Sequence, residues 1–272
     1  MLLRRIQYPE TAGDWMLSTA LLPLSWLYCA GWGAYAAVYL LGLKRRRKFA
    51  VPILGIGNLE VGGTGKTPVT IAVAKLLSEG RKIAVSASAH GSPSSHDARL
   101  VRADDAMNAR EHGDEPCLLR KQLPGVDLIL GRNRVRAAQI AEGEEYDLLI
   151  LDDGFQHLPL ARTLDTVVWS GDTKNRRLLP AGPFREPARG IGRASGAFSE
   201  SGDAPGKRTF GFSREYVGLR PLCGGEVLPV SFLSGKPVNA ACAIARPQAF
   251  LGALRDFGAV ISRTELLPDH SE

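Results

Sequence analysis

The sequence predicts an α/β protein: a parallel sheet flanked by helices, preceded by an apolar N-terminal segment and followed by a smaller C-terminal α/β part. Three observations carry that prediction. Short apolar runs alternate with helical stretches between Phe49 and Trp169. A glycine-rich turn, Gly62-Gly63-Thr64-Gly65, falls between the first such run and the first such helix. No charged residue occurs from Trp15 to Leu43.

The N-terminal element comes first. Its uncharged stretch is long enough to cross a bilayer with tilt, since a spanning helix needs about 20 apolar residues. Trp15, Trp26, Tyr28, Trp32, Tyr35 and Tyr39 are side chains of the kind found at membrane interfaces. Pro23 and Gly31 weaken a single straight helix, so a membrane helix and an interfacial hairpin both fit, with a buried soluble hairpin as the alternative. The stretch is too long for a secretory leader and lacks a clear small-residue cleavage site. Lys44-Arg45-Arg46-Arg47-Lys48 follows it, which by the positive-inside rule places the rest of the chain in the cytoplasm. Residues 1–48 are therefore read as a membrane-associated segment with a basic flank.

The core is read over residues 49–205. Phe49–Gly57 reads as a strand, Pro68–Leu77 as a helix and Lys82–Val85 as a strand. Residues 86–113 read mostly as loop. Val126–Leu130 reads as a strand, Arg134–Glu142 as a helix, and Tyr146–Leu151 and Thr166–Trp169 as strands. From Lys174 to Gly206 the composition turns to Gly, Pro, Arg and Ser, the pattern of a linker or a long functional loop. Residues 206–272 make the smaller C-terminal part. Strands are expected at Arg208–Phe212, Glu226–Phe232 and Val238–Ile244, the first two in antiparallel style. A helix is expected over Gln248–Phe257, and a last strand from Val260.

Composition bounds the function. Hydrophobic residues make up 44% and charged residues 23% of the 272, which is ordinary for a folded protein. The net charge of +6 is modest and largely local to the 44–48 run. No basic stripe interleaved with aromatics accompanies that run, so nucleic acid is not an expected partner. Nor does the sequence mark out an obligate protein partner. Cys29, Cys117, Cys223 and Cys242 are far apart and form no C-x-x-C pair, which argues against a disulfide framework or a zinc site.

The chemistry lies in the turn. Gly65-Lys66-Thr67 ends a phosphate-binding P-loop, although Glu60 stands where the strict pattern has its first glycine. Glycines let several N–H groups face one phosphate, and the following helix presents its positive end to the same anion. Gly62, Gly63, Thr64, Gly65, Lys66 and Thr67 are thus the candidate ATP-binding residues. Lys66 can reach the β- and γ-phosphates, and the Thr67 hydroxyl can ligate Mg²⁺. Asp152-Asp153 closes the apolar run YDLLIL, where carboxylates face the ligand crevice of an open α/β sheet. Both are candidate Mg²⁺ ligands, with a capped Asp-Asp-Gly turn as the structural alternative. Gln156 and His157 follow at once; a lone histidine is usually structural, and here it could equally orient the carboxylates.

Taken together, VGGTGKTP (Val61–Pro68), GDEP (Gly113–Pro116), DDGFQH (Asp152–His157), LLPAGPFREP (Leu178–Pro187) and PDH (Pro268–His270) recur in this order in one family. By these motifs the chain resembles the tetraacyldisaccharide 4′-kinases of lipid A synthesis. The resemblance implies transfer of the ATP γ-phosphate to the 4′-hydroxyl of tetraacyldisaccharide 1-phosphate, at the cytoplasmic face of the bacterial inner membrane. It implies that Asp114 and His270 together activate the sugar hydroxyl. It places Arg185, Glu186, Gln156 and His157 in the active-site cleft. A partitioning-type ATPase, whose signature lysine would fall at Val61, and an inactive tethered relative are the alternatives. Three features depart from the family pattern. Ala87 and Ala89 stand where an arginine and a tyrosine are usual, which predicts lost cleft contacts. Glu60 is expected to repel the triphosphate unless it turns away. The sequence ends two residues after His270, which predicts a C-terminal part short of its last strand and helix.

Overall fold

The computed structural model describes residues 2–89, 92–93, 96–171, 173–244 and 247–267. The chain divides into two units: Ile6–Gly211, and the segment from Phe212 onward together with the residues up to Arg5.

The larger unit is built on an eight-stranded sheet in the order β3-β4-β2-β5-β1-β6-β7-β8. The strands are β1 (Ile53–Gly57), β2 (Ile83–Ala87), β3 (Arg99–Val101), β4 (Asp127–Leu130), β5 (Leu148–Asp152), β6 (Leu164–Trp169), β7 (Gly196–Ser199) and β8 (Thr209–Gly211). All neighbours run parallel except β3, which pairs antiparallel with β4 at one edge. Helices α4 (Lys66–Leu77), α6 (Asp114–Gln122) and α7 (Arg134–Gly143) supply the crossovers. The central strands read as unbroken apolar runs because both faces are covered. Leu149, Ile150 and Leu151 of β5 and Leu128, Ile129 and Leu130 of β4 are fully buried. Each such side chain contributes about 1.5–3 kcal/mol of burial. The register sets Ile56 beside Asp152, so β1 and β5 deliver the glycine-rich loop and the acidic pair side by side at their carboxyl ends.

Four expectations are corrected. The 86–113 stretch is not all loop: it holds β3 and the one-turn helix α5 (Ala109–His112), both too short to leave a periodic signal. The 174–206 stretch is not a linker. It contributes β7, a 3₁₀ turn at Ala188–Arg193, and the buried side chains of Phe184, Ile191 and Ala197. β8 lies parallel to β7 and extends the main sheet. Glu226–Phe232 forms no strand; only a bridge between Leu219 and Leu228 precedes a 3₁₀ turn at Val230–Leu233, and Pro229 removes the ladder donor there. The second unit otherwise holds a parallel pair, β9 (Pro237–Cys242) and β10 (Val260–Leu266), with α8 (Pro247–Asp256) between them.

At the N-terminus α1 (Leu2–Gln7) is followed by a helix pair, α2 (Ala12–Ala20) and α3 (Leu22–Leu40). Thr11 and Asp14 form a capping box that starts α2. The chain breaks at Leu21, and Pro23 sits in the first turn of α3, where its missing N–H costs little. Among the described residues no helix is long and apolar enough to cross a membrane. The pair packs on the core through inward hydroxyls. Ser18 donates to the Ala181 carbonyl at 2.6 Å and Ser25 to the Leu178 carbonyl at 2.9 Å.

Candidate active site

The loop after β1 is built for a polyphosphate. Gly62 (φ +90°) and Gly65 (φ +88°) take left-handed backbone conformations that a side chain would resist. Gly65 caps α4, so the N–H groups of its first turn face outward beside Lys66. Asn58 braces the loop from below, donating to the Thr64 hydroxyl at 2.6 Å and accepting from Lys66 Nζ at 3.2 Å. Glu60 turns away. Its carboxylate accepts from Ser170 Oγ at 2.7 Å and Thr173 Oγ1 at 2.6 Å, and the side chain is buried. The repulsion expected from the sequence is therefore avoided by direction.

The two aspartates divide the work. Asp152 ends β5 almost wholly buried, accepts from Thr70 Oγ1 at 2.9 Å, and lies 3.5 Å from Thr67 Oγ1. Burial, and then the neighbouring Asp153 charge, push its pKa up to about 6. Asp153 adopts φ +56°, an unusual conformation for a residue with a side chain. Arg185 Nη1 reaches both its oxygens at 2.8 Å, and Lys66 Nζ lies 3.3 Å away. Burial alone would raise the Asp153 carboxyl, but Lys66 and Arg185 outweigh it and hold it below the usual range. For Lys66 the order is reversed: desolvation lowers its pKa against the pull of Asp153.

Behind this pair stands Arg134, which the sequence reading did not single out. It opens α7, is buried, and donates to Ser86 Oγ at 2.9 Å and to the Asp152 carbonyl at 2.7 Å. The rule that exposed Asp152–Asp153, that residues at the carboxyl ends of parallel strands face the crevice, applies equally to an arginine following β4.

A cleft of about 430 Å³ opens over the site, with Arg132, Arg134, Asp153, Gln156, His157 and Arg185 in its wall and Tyr28 and Trp32 contributed by α3. Ala87 and Ala89 are buried, and the cleft's cations come instead from Arg132, Arg134 and Arg185. Gln156 is fixed by donating to the Asn58 carbonyl at 2.7 Å and to Glu186 Oε1 at 2.9 Å. Glu186, expected in the cleft, lies fully buried beneath it, clasped by Arg193 at 2.6 and 2.9 Å. His157 is in the wall. Burial, with Arg134 and Arg162 adding to it, lowers its pKa to about 4, so the ring is neutral near pH 7. Its Nε2 is buried and has no hydrogen-bond partner among the described residues. Asp114 opens α6 and is exposed; it is not part of the cleft wall. Its neighbour Glu115 was also passed over by the sequence reading, yet its charge acts on both Asp152 and Arg134. His270 lies outside the described residues.

Comparison with known proteins places the chain by sequence and by fold. The sequence model of the tetraacyldisaccharide-1-P 4′-kinases matches residues 17–272. The tetraacyldisaccharide 4′-kinase of Acidovorax sp. (strain JS42) is 38% identical over 260 residues, which is 93% of this chain and 75% of that one. That of Anaeromyxobacter sp. (strain Fw109-5) is 37% identical over 281 residues, covering 95% and 75%. Among solved structures, LpxK from Aquifex aeolicus in complex with ATP superposes with a TM-score of 0.79 at 30% identity, covering 94% of this chain and 83% of that one. With the phosphate loop, acidic pair and cleft in place, these matches show that the chain belongs to the tetraacyldisaccharide 4′-kinase family.

Proposed function

We propose that this site transfers the γ-phosphoryl group of ATP to the 4′-hydroxyl of tetraacyldisaccharide 1-phosphate, the reaction of the family. The observation that carries the reading is the convergence of Lys66 and Arg185 on Asp153 at the N-terminus of α4, with Asp153 and Arg185 in the cleft wall. Phosphoryl transfer needs little covalent help from a protein; it needs positioning and neutralised charge. The loop N–H groups and Lys66 would hold the β- and γ-phosphates. Asp153 keeps both cations aimed at the place where charge develops. As the acceptor oxygen bonds to the γ-phosphorus, the bond to the β–γ bridging oxygen breaks and ADP leaves. By the family resemblance the proton of the hydroxyl would pass to Asp114, acting with His270, although Asp114 stands exposed at the start of α6 and outside the cleft wall. The neutral His157, in the cleft wall, is suited to hold a polar group of the sugar.

Mg²⁺ fits this donor set. The Thr67 hydroxyl and the Asp152 carboxylate are hard oxygen donors beside each other, and Mg²⁺ takes one or two carboxylates with substrate phosphates completing its shell. Such an ion would neutralise charge on the β- and γ-oxygens.

The membrane reading is retained in its interfacial form. Leu24, Trp26 and Leu27 on α3 are exposed, and the 44–48 basic run follows the helix. This face suits the headgroup boundary of an anionic leaflet, at the cytoplasmic side of the bacterial inner membrane.

The test is label transfer. Detergent-solubilised protein is incubated with γ-labelled ATP, Mg²⁺ and tetraacyldisaccharide 1-phosphate beside Lys66→Ala and Asp114→Ala. Label is expected in the lipid, lost with Lys66→Ala and reduced at least a hundredfold with Asp114→Ala, the scale of general-base catalysis. ATP bound without label in the lipid would overturn the reading.

A further inference from the structure

Two tyrosines of the N-terminal segment donate hydrogen bonds into the catalytic backbone. Tyr8, between α1 and α2, reaches the carbonyl of Val61 at 2.6 Å. Tyr28, on α3, reaches the carbonyl of Arg185 at 2.6 Å. Val61 begins the phosphate loop, and Arg185 is the cation seated on Asp153. Their backbones form one short ribbon. Val61 N–H donates to the Pro183 carbonyl at 2.8 Å, Arg185 N–H donates to the Leu59 carbonyl at 2.8 Å, and Glu60 faces Phe184 in an antiparallel bridge. Each strand of that ribbon is therefore gripped by one tyrosine hydroxyl.

Other bonds also hold the helices in place. Ser18 and Ser25 already join the pair to Ala181 and Leu178, and Asn175 donates to the carbonyls of Ile6 and Gln7, each at 3.2 Å. Those contacts fall away from the residues that would meet ATP. The tyrosine contacts fall on them. Tyr8 also lies ahead of the residues matched by the family's sequence model.

We infer that Tyr8 and Tyr28 are positioning residues for the transfer, setting the phosphate loop and Arg185 in register with each other. The inference rests on the proposed role of Arg185 at the transferred phosphoryl group. Its physical basis is the tolerance of such sites: displacements well under 1 Å in a charge-stabilising group lower the rate steeply. A hydroxyl placed on a backbone carbonyl constrains the main chain, and with it the root of the arginine side chain. The helices that carry the apolar outer face thus contribute to catalysis as well as to attachment.

The experiment uses the full chain in detergent, with ATP and tetraacyldisaccharide 1-phosphate, each variant assayed well below its own Tm. Tyr28→Phe keeps the ring in the cleft wall and removes only the hydroxyl. It is expected to lower kcat about fivefold, the worth of one hydrogen bond, while KM for ATP stays within about twofold. Tyr8→Phe is expected to raise KM for ATP about fivefold. Ser18→Ala, on the same helices, is expected to lower Tm while leaving both constants unchanged. If both tyrosine variants lower Tm but keep kcat and KM within twofold of the parent, their hydroxyls only secure the helices and the inference is wrong. Arg185→Ala, run alongside, separates the two failures. Full activity in Arg185→Ala would remove the role of Arg185 itself, whereas loss there with no effect of Tyr28→Phe would remove only the role of the tyrosine.

Discussion

Asp152 is the buried carboxyl beneath the cleft whose charge its surroundings oppose, and this makes it testable in two ways. A carboxyl that holds its proton more tightly in the folded chain adds stability below its unfolded value of 3.8, and that contribution is gone once pH has risen through about 6. At pH 7 the buried charge is a net cost. Asp152→Asn should therefore raise unfolding free energy by roughly 2 kcal/mol at pH 8, with a smaller gain at pH 5, while ending phosphoryl transfer. Melts of metal-free protein in a chelator at both pH values check this; an Asn variant less stable than the parent at pH 8 would refute it. His157 has the opposite sign. Its depressed pKa favours folding above the ordinary value of 6.5, and that support is lost as pH falls through about 4. A histidine NMR titration should show this ring still neutral at pH 5.5. Residue types at this site were legible from spacing, because loop, strand end and acidic pair fall in a fixed order. Side-chain direction was not. Nothing in the text of the sequence turns Glu60 toward Ser170 and Thr173, or sinks Glu186 under Arg193.

At the scale of elements, the phosphate loop depends on backbone conformation more than on side chains. Gly65 sits in the left-handed region at the start of α4. Gly65→Ala meets a cost of about 1–2 kcal/mol in that conformation, and the loop can relieve it only by losing its shape. ATP affinity measured by calorimetry should fall about tenfold; an unchanged Kd would mean that the loop does not close around phosphate as described. The strands flanking this loop were readable because parallel strands buried on both faces are unbroken apolar runs. β7 was not, because Gly196-Ala197-Phe198-Ser199 is short, small and surrounded by Gly, Pro and Ser, which read as turn. Its place is fixed from outside by Thr166–Trp169 on one side and Thr209–Gly211 on the other. The N-terminal stretch was legible as apolar and helical. Its division at Leu21, and the inward serines that dock it, depend on contacts with a segment some 150 residues away in sequence.

The N-terminal helix pair presents an apolar face. Trp26 and Leu27 are 68% and 71% exposed, and Leu41 and Leu43 at the end of the pair are 74% and 77% exposed. Exposed clusters of this kind mark surfaces that meet lipid or protein. Leu27→Asp should weaken partition onto anionic vesicles about tenfold or more, with Tm unchanged because the side chain is already in solvent. Flotation with vesicles of phosphatidylglycerol and phosphatidylethanolamine would read this, and equal binding by parent and variant would remove the interfacial assignment. Raising salt should release the parent in part, through Lys44–Lys48.

The orientation of Glu60 carries a consequence for how such chains are recognised. Because the carboxylate accepts from two hydroxyls of the turn after β6, position 60 is coupled to that turn. Its identity is then free to drift, provided Ser170 and Thr173 drift with it. Aligned relatives should show covariation among these three positions, with small residues at 60 accompanied by the loss of hydroxyls at 170 and 173. A text search for the complete glycine pattern would pass over every chain that had taken this route, although the loop itself binds phosphate through the same backbone.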